Sequence, residues 1–149
     1  MHVHQAAFSI STRARGPIAV THRVAEAVTG SGIDTGLCHV FCQHTSASLL
    51  ITENADPSVL RDMEGHLSRQ IPDGDPHYAH DQEGPDDMSA HIRSVLTGAG
   101  LTVPIRRGRL ALGTWQGLFL WEHRTHGHSR SLVVTCFGTT AEADTRSRP

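Results

Sequence analysis

The sequence predicts an α+β fold, a single domain in which a mixed, mostly antiparallel β-sheet packs with helices. Its 149 residues are about the length of one average domain, and no internal repeat or change of composition divides them. Strand-like alternation and helix-like periodicity follow one another in the order β-α-β-β-α-α-β-β-β-β, which is typical of this class. We expect one domain over residues 1–140 and a disordered tail over residues 141–149, which lack an apolar pattern.

The first third of the chain predicts one helix between strands. In residues 3–12 apolar residues alternate with serines, the period of a half-buried strand, and Gly16-Pro17 breaks this pattern. Thr21 is expected to cap a helix that ends at the connector over residues 30–32. Two strands joined by a short turn follow, over residues 36–43 and 47–53.

The next helix has the clearest start signal in the sequence. The Asp56 carboxylate can accept free amide hydrogens, and Pro57 at the first helical position loses no hydrogen bond. This helix is predicted to run to about Gln70. Residues 71–85 contain three prolines and two glycines, so they predict a loop without regular structure.

The last predicted helix leads into a series of strands. Asp86 or Asp87 is expected to cap this helix, and Gly98 ends it. The remaining apolar runs alternate with turn residues and therefore predict strands. These strands span residues 101–105, 109–112, 115–124 and 130–137.

Charge and composition exclude several classes of function. The chain has 13 basic and 15 acidic residues, a balance that argues against a nucleic-acid-binding or membrane-surface protein. Every basic residue is arginine, so a lysine Schiff base or a P-loop lysine is impossible. The chain also contains 12 histidines. Any cationic side chain that contacts a phosphate group must therefore be an arginine or a histidine.

The cysteines and the hydropathy pattern predict a soluble, cytoplasmic protein. Cys38, Cys42 and Cys136 lie in apolar stretches without a CxxC spacing, so we expect reduced core residues in preference to a zinc knuckle. No apolar run approaches the roughly 20 residues needed to cross a bilayer, and the N-terminus lacks the pattern of a signal peptide. We expect neither a membrane nor a nucleic acid among the partners.

The segment from His80 to His91 predicts a site for a divalent metal. Asp87 and His91 are four residues apart and would share one face of a helix. The loop that enters this helix carries further polar side chains at His80, Asp81 and Glu83. Imidazole and carboxylate groups at such a junction suit a divalent metal such as zinc, with magnesium as the alternative.

His44 is a candidate third imidazole, from the turn between two predicted strands. Three histidines with an open fourth position are the arrangement expected of catalytic zinc. The alternative is that Asp86 caps the helix, His91 is a half-buried surface residue and the acidic loop is solvated. We expect Asp86 to cap the helix, and we expect His80 and His91 to have a functional role.

Two polar positions near strand ends suit either ligand binding or local structure. Ser46 lies two residues after His44, but the GxSxG motif of serine hydrolases is absent, so we expect its hydroxyl to bind oxygen atoms or the backbone. Asn54 precedes a helix start, where it suits binding of a phosphate group and formation of an Asx turn equally well.

The strand predicted over residues 115–124 carries polar residues on a largely apolar background. Gln116, Glu122 and Arg124 would share one face. Because both faces are largely apolar, we expect the strand to be central or covered by another subunit. Glu122 and Arg124 suit an interface salt bridge, or alternatively Arg124 binds an anion. Trp115 either packs in the core or stacks on a flat ring.

Two turns near the end of the chain carry clustered basic or histidine residues. Arg106, Arg107 and Arg109 lie at a hairpin turn without interleaved aromatic residues, so we interpret them as a solvated turn. His126 and His128 lie in a glycine-containing turn, and we interpret them as surface residues.

Four longer segments of the chain are distinctive enough to compare with known families. They are HTSASL at 44–49, ENADP at 53–57, HDQEGPDDMSAHI at 80–92 and GRLALGTWQGLFLWEHR at 108–124. In order and spacing they resemble the YjbQ family, also called uncharacterised protein family 0047 (UPF0047), over about residues 1–138. Motifs of this length are highly specific.

The resemblance implies an α+β fold that assembles as a homotrimer, with a polar cluster near the subunit interfaces. It also implies a divalent metal or an anion held by His44, His80 and His91. The family is associated with a secondary thiamine-phosphate synthase activity. That reaction joins an aminopyrimidine pyrophosphate to a thiazole phosphate and releases pyrophosphate.

The leading functional hypothesis is a metal-assisted enzyme that acts on a small phosphorylated metabolite. It assigns metal binding to His44, His80 and His91, and catalysis to these three histidines together with acidic residues. The acidic candidates are Asp81, Glu83 and Asp87. The candidates for binding substrate or anion are Ser46, Asn54, Thr114, Trp115, Gln116, Glu122 and Arg124. Two alternatives use the same residues: a non-catalytic trimeric metal- or anion-binding protein, and a hydrolase with a metal-activated water.

Overall fold

The computed structural model describes residues 1–141, so the predicted tail from residue 142 onward lies outside the described residues. Within them, the chain forms three helices and eight strands. The helices are α1 (Thr21–Ser31), α2 (Pro57–Gln70) and α3 (Asp87–Thr97). The strands are β1 (His2–Ser11), β2 (Gly16–Ala19), β3 (Thr35–Cys42), β4 (Ala47–Glu53), β5 (Gly100–Arg106), β6 (Arg109–Leu110), β7 (Gln116–Glu122) and β8 (Ser129–Thr139).

The strands of residues 1–141 form two antiparallel sheets, whereas the sequence predicts one mixed sheet. The larger sheet has the order β1-β8-β3-β5-β6, and the smaller has the order β2-β7-β4. Every strand pair is antiparallel, which confirms the α+β class. The division into two sheets arises because β8 pairs with β1 and β3, while β7 pairs with β2 and β4. These partners are distant in the chain, so local sequence patterns do not reveal them.

Strand β2 is the element that the sequence pattern fails to predict. Gly16-Pro17 follows the end of β1, as predicted, but the chain resumes there as a short strand paired with β7. Proline is tolerated because β2 lies at the edge of the smaller sheet, where the absent N–H removes no bond to a further strand.

The hydrophobic core joins α1 with inward-facing residues of both sheets. Val24 and Val28 of α1 are fully buried in it. Cys38, Cys42 and Cys136 belong to the same core and are free thiols, as predicted. Burial raises the pKa of Cys38 to about 12, so this thiol stays protonated and unreactive.

The helix starts show where local signals succeed and where they fail. Asp56 caps α2 as predicted, because its Oδ1 accepts a hydrogen bond of 2.9 Å from the backbone of Ser58. Thr21 does not cap α1; its hydroxyl bonds to the backbone of Leu118 on β7. Asp86 occupies the N-cap position of α3, as predicted, but its side chain makes no capping hydrogen bond, because its carboxylate is bound by residues that follow β7.

Three features position the polar residues that the sequence singles out. Helix α3 packs against β4, and β7 is the central strand of the smaller sheet, as predicted. Residues 71–86 form neither helix nor strand, as predicted, and carry His80 to the start of α3. In the described part of the chain, no helix is long and apolar enough to span a membrane.

Candidate metal centre

Three polar side chains converge at the start of α3. One helical turn separates Asp87 from His91, which places both on one face, and the preceding loop adds His80. The Nε2 atom of His80 lies 2.6 Å from Asp87 Oδ2, and the Nε2 atom of His91 lies 3.2 Å from the same oxygen. The Asp87 side chain is 2% exposed, whereas those of His80 and His91 are 46% and 29% exposed. The three polar atoms therefore lie close together, with the carboxylate buried and the two imidazole rings partly exposed.

The hydrogen bond at the far side of His91 fixes how its ring can act. His91 Nδ1 lies 2.9 Å from the backbone oxygen of Thr45, and a carbonyl oxygen only accepts, so Nδ1 carries the hydrogen. In the neutral ring, Nε2 then presents a lone pair toward Asp87 Oδ2, which is also an acceptor. Two facing acceptors require a cation between them, either a proton on Nε2 or a metal ion.

The Asp87 carboxylate is ionised and held on both sides. Its Oδ1 accepts a hydrogen bond of 2.9 Å from Arg124 Nη1, which leaves Oδ2 for the two histidines. Burial raises the pKa of Asp87, but the hydrogen bond with His80 and the charges of His91 and Arg124 outweigh it and hold the pKa below its ordinary value. Imidazole nitrogens and a carboxylate oxygen are donor types that zinc accepts, and the 3.2 Å between His91 Nε2 and Asp87 Oδ2 is close to the roughly 3.4 Å that separates ligands in a tetrahedral site. The 2.6 Å between His80 Nε2 and Asp87 Oδ2 is a hydrogen-bond distance, so this pair would move apart to hold an ion.

The guanidinium group of Arg124 donates hydrogen bonds to acceptors within the protein. Its Nε donates to Asp86 Oδ2 at 3.0 Å, and its Nη2 donates to the Glu83 carbonyl at 2.8 Å. The same Asp86 oxygen accepts from the backbone and hydroxyl of Thr125. Burial raises the pKa of Asp86, yet these bonds to Arg124 and Thr125 hold it far below its ordinary range. Asp86 therefore anchors Arg124, and Arg124 holds Asp87.

The predicted side-chain salt bridge between Glu122 and Arg124 does not form. Strand β7 ends at Glu122, so the alternation that would place both side chains on one face stops there. Glu122 is buried and pairs instead with Arg130. Arg124 contacts Glu122 only through its backbone N–H, which donates to the carboxylate at 3.1 Å. Arg130 also donates to Ser46 Oγ at 3.0 Å, so Ser46 belongs to this buried network.

His44 lies outside the group formed by His80, Asp87 and His91. Its Nε2 accepts a hydrogen bond of 2.7 Å from the backbone N–H of Ser131. Burial, followed by the charge of Arg130, lowers the pKa of His44. His44 and His91 nevertheless line the same cavity of about 450 Å³. Within residues 1–141, the third member of the group beside His80 and His91 is thus Asp87 and not His44.

The remaining predicted residues divide between the loop beside the cluster and a distant surface. Asp81 and Glu83 are exposed on the loop that carries His80. Four others lie at the opposite end of β7 from Glu122, about 20 Å away along the strand. These are Asn54, Thr114, Trp115 and Gln116. Trp115 is 63% exposed, which excludes the alternative that it packs in the core.

The structure also contains a buried polar network that the sequence analysis missed. His123 is fully buried, and its Nε2 lies 2.7 Å from Ser48 Oγ. The Thr97 hydroxyl lies 2.6 Å from the same Ser48 oxygen and 2.7 Å from the Arg93 carbonyl. His123 directly follows the last residue of β7, and no local signal indicates that it is buried or which hydroxyl groups meet it.

Comparison with known sequences places this chain among proteins of one family. The family model described as "UPF0047 protein YjbQ-like" matches residues 6–139. A UPF0047 protein of Synechocystis is 47% identical over 135 residues, which cover 91% of this chain and 92% of the relative. The UPF0047 protein YjbQ of Salmonella typhimurium is 44% identical over 136 residues, which cover 91% of this chain and 98% of the relative.

Solved structures agree with this assignment. An uncharacterized conserved protein of the YjbQ/UPF0047 family from Clostridium acetobutylicum is 36% identical, with a TM-score of 0.82 over 89% of this chain and 99% of that chain. A conserved hypothetical protein from Thermus thermophilus is 34% identical, with a TM-score of 0.79 over 89% of this chain and 99% of that chain. Because sequence and fold agree over most of its length, the chain belongs to the YjbQ/UPF0047 family.

Proposed function

We propose that this protein is a metal-assisted enzyme acting on a small phosphorylated substrate, with a divalent ion held by His80, Asp87 and His91. The observation that carries this proposal is the pair of Nε2 atoms facing one ionised carboxylate oxygen, at 2.6 and 3.2 Å. Zinc suits this nitrogen and oxygen donor set best, and magnesium is the alternative. A bound divalent ion supplies a Lewis acid that neutralises charge on phosphate oxygens.

The charge around the cluster supports the need for a metal. Asp86 and Asp87 are both ionised, and Arg124, which contacts both, balances only one of them. Asp81 and Glu83 add further acidic side chains on the adjoining loop. A phosphorylated substrate would be repelled by this surface unless a cation were present. Since the chain contains no lysine, a metal ion is the simplest source of that positive charge.

The chain's own residues then have distinct roles in the proposed reaction. Thr45 orients the His91 ring through its carbonyl, and Arg124 orients Asp87. His80 is the most exposed of the three ligands and lies on the loop, so it is best placed to adjust when substrate enters. The family's association with thiamine-phosphate synthesis makes an aminopyrimidine pyrophosphate and a thiazole phosphate the first substrates to examine.

We also propose that the protein works as a homotrimer. The outer face of the larger sheet is apolar: Val3, Phe137 and Leu37 are neighbours across β1, β8 and β3, and each is 45% exposed or more. Val95, which lines the cavity of His44 and His91, is 83% exposed. Contact between copies would cover such surfaces. Light scattering on the purified protein measures the assembly, and a monomer would contradict it.

Metal analysis of untagged protein tests the proposed centre. After dialysis against zinc and then against metal-free buffer, the wild-type protein is expected to retain stoichiometric zinc, and His91→Ala is expected to lose it. His39→Ala is the matched control, because His39 is exposed and contacts Thr102 outside the cluster. A wild-type protein without zinc or magnesium, or a His91→Ala variant with full metal content, would contradict the ligand set.

An activity assay then separates the enzyme from a binding protein. The wild-type protein is incubated with the two thiamine precursors and either metal, and thiamine phosphate is measured by chromatography. We expect product with the wild type and His39→Ala, and none with His91→Ala. If the wild type holds metal and gains thermal stability from it but forms no product, the non-catalytic metal-binding alternative is favoured.

A further inference from the structure

The hairpin between β5 and β6 concentrates positive charge at one end of the larger sheet. Arg106 ends β5, Arg109 begins β6, and Arg107 lies between them. Arg107 and Gly108 have φ angles of 53° and 71°, so a two-residue turn with left-handed backbone connects the strands. The N–H of Gly108 donates to the Asp34 carbonyl at 3.0 Å, which ties the turn to the chain before β3. The three arginines therefore lie on a hairpin turn whose backbone geometry is fixed.

These guanidinium groups have no carboxylate partner within residues 1–141. The arginines that form ion pairs there are Arg15, Arg23, Arg93, Arg124 and Arg130. Asp34 lies beside the turn, but its Oδ2 accepts from the Thr35 hydroxyl at 3.1 Å. Arg106 and Arg109 are direct cross-strand partners, and like charges in that position repel each other. A bound anion would relieve this repulsion.

The hairpin also borders a cavity of suitable size. The cavity has a volume of about 570 Å³ and is lined by Arg106, Arg107, Arg109, Ala111 and Leu112. Small-molecule sites typically span about 300–1,000 Å³. Guanidinium groups bind phosphate and carboxylate groups through paired hydrogen bonds. The lining contains no aromatic side chain on which a nucleic-acid base could stack, so its chemistry favours a small anion.

We propose that this arginine hairpin, formed by Arg106, Arg107 and Arg109, binds a small organic polyanion that carries at least two phosphate or carboxylate groups. The site is separate from the proposed metal centre. Ala99, next to the start of β5, borders the cavity of His44 and His91, whereas Arg106 ends β5 about 20 Å along the strand. The proposal therefore does not depend on the function of the metal centre.

Titration of the full-length protein with inorganic tripolyphosphate and, separately, with citrate tests this site. Nuclear magnetic resonance of the arginine Nε–H groups reports binding at the hairpin itself, so anion binding at the metal centre does not interfere. We expect saturable shifts of the hairpin signals, and dissociation constants at least tenfold weaker in the double variant Arg106→Gln/Arg109→Gln. The control is Arg13→Gln, which removes one charge from another exposed arginine and should bind as the wild type does.

The two anions separate the possible ligand classes. Tighter binding of tripolyphosphate assigns the site to phosphorylated ligands, and tighter binding of citrate assigns it to polycarboxylates. The double variant should also melt at a higher temperature than the wild type without anion, because the cross-strand repulsion is gone, and should lose the stabilisation that the anion gives. Absence of saturable shifts, equal binding by the double variant, or preferential binding of an oligonucleotide over both small anions would overturn the proposal.

Discussion

Two groups of histidines in this protein contact different kinds of oxygen atom, a carboxylate at the candidate metal centre and a hydroxyl in the interior. At the candidate metal centre, His80 and His91 approach one carboxylate oxygen and remain partly exposed. In the interior, His123 is fully buried, and its Nε2 contacts the hydroxyl of Ser48, which in turn contacts Thr97. In both arrangements a ring nitrogen lies within 3.2 Å of an oxygen atom, but a hydroxyl oxygen can donate a hydrogen bond and an ionised carboxylate oxygen cannot.

The contact of His123 Nε2 needs no cation because hydroxyl groups both donate and accept, although His123 Nδ1 is buried without a hydrogen-bond partner among the described residues. A carbonyl only accepts, so Thr97 donates to the Arg93 carbonyl, accepts from Ser48, and leaves Ser48 to accept from His123 Nε2–H. Burial, followed by the charge of Arg93, lowers the pKa of His123 to about 3, so the ring is neutral. At the metal centre, a neutral ring leaves two acceptors facing each other. The direction of the lone pairs therefore distinguishes the proposed ligand set from the buried network.

Arg93→Ala should produce the largest effect, because it breaks an ion pair whose buried arginine lies near His123. The Arg93 side chain is fully buried and donates to Glu64 at 2.6 Å, and Glu64 also accepts from Trp121 Nε1 at 2.5 Å. Removing the cation from such a pair should lower the free energy of unfolding by about 3 kcal/mol, measured by urea denaturation. Arg13→Ala, at an exposed position, should change it by no more than about 0.5 kcal/mol.

The zinc content of the wild type and of Arg93→Ala tests whether the two groups are independent. Arg93 contacts Glu64 and Ser68, whereas the proposed ligands contact one another, Thr45 and Arg124. Arg93→Ala should therefore retain wild-type zinc content while it is folded. Loss of zinc together with stability would contradict the separation of the two groups.

The pH dependence of stability should reflect the buried histidine. The pKa of His123 is about 3 in the folded protein and near 6.5 in the unfolded chain, so between these values the unfolded chain binds more protons. The stability that neutral His123 contributes is fully present above pH 6.5 and is lost as the pH falls toward 3. The loss amounts to about 2 kcal/mol at pH 5. Denaturation of the wild type and of His123→Asn at pH 5 and pH 7.5 measures this term. Equal pH slopes in the two proteins would contradict it.

Arg124→Gln should weaken metal binding without abolishing it. Arg124 touches no proposed histidine ligand but holds Asp87 through Oδ1, and partners of this kind change metal affinity by about 10–100-fold. Competition with a chelator of known zinc affinity measures the change. Arg124→Lys should recover only part of the affinity, because a single ammonium group cannot contact Asp86, Asp87 and the Glu83 carbonyl in the same fork geometry. Wild-type affinity in Arg124→Gln would assign Arg124 another role.

Local sequence signals predict the parts of the fold that depend on neighbouring residues. The Asp56 cap and the shared helix face of Asp87 and His91 follow from spacing alone, and both are found. The capping hydrogen bond expected of Asp86 does not form because a partner 38 residues away, Arg124, binds its carboxylate. A short-range signal could not compete with that charged hydrogen bond, which is stronger than a bond to a backbone amide.

Long-range register explains the other differences. Gly16-Pro17 is a sequence that usually ends a strand, but here it begins strand β2, which pairs with β7 at the edge of the smaller sheet. Asn54 precedes a helix start and Trp115 offers a flat ring, so both look like site residues in the sequence. The pairing of β4 with β7 places them at the opposite end of the sheet from the metal centre. Sequence spacing identifies candidate groups, but the antiparallel register decides which of them meet.

His44→Ala should have the smallest effect, and it tests whether the third ligand is an imidazole or Asp87. The variant leaves the Ser131 N–H without its acceptor, which should cost about 1 kcal/mol of stability. Its zinc affinity should match the wild type, since the His44 Nε2 lone pair already accepts that bond. His44→Gln is the matched control, because the amide oxygen can accept the Ser131 hydrogen bond. A zinc affinity at least tenfold weaker in both variants would show that His44 turns into the cavity it shares with His91 when the metal binds.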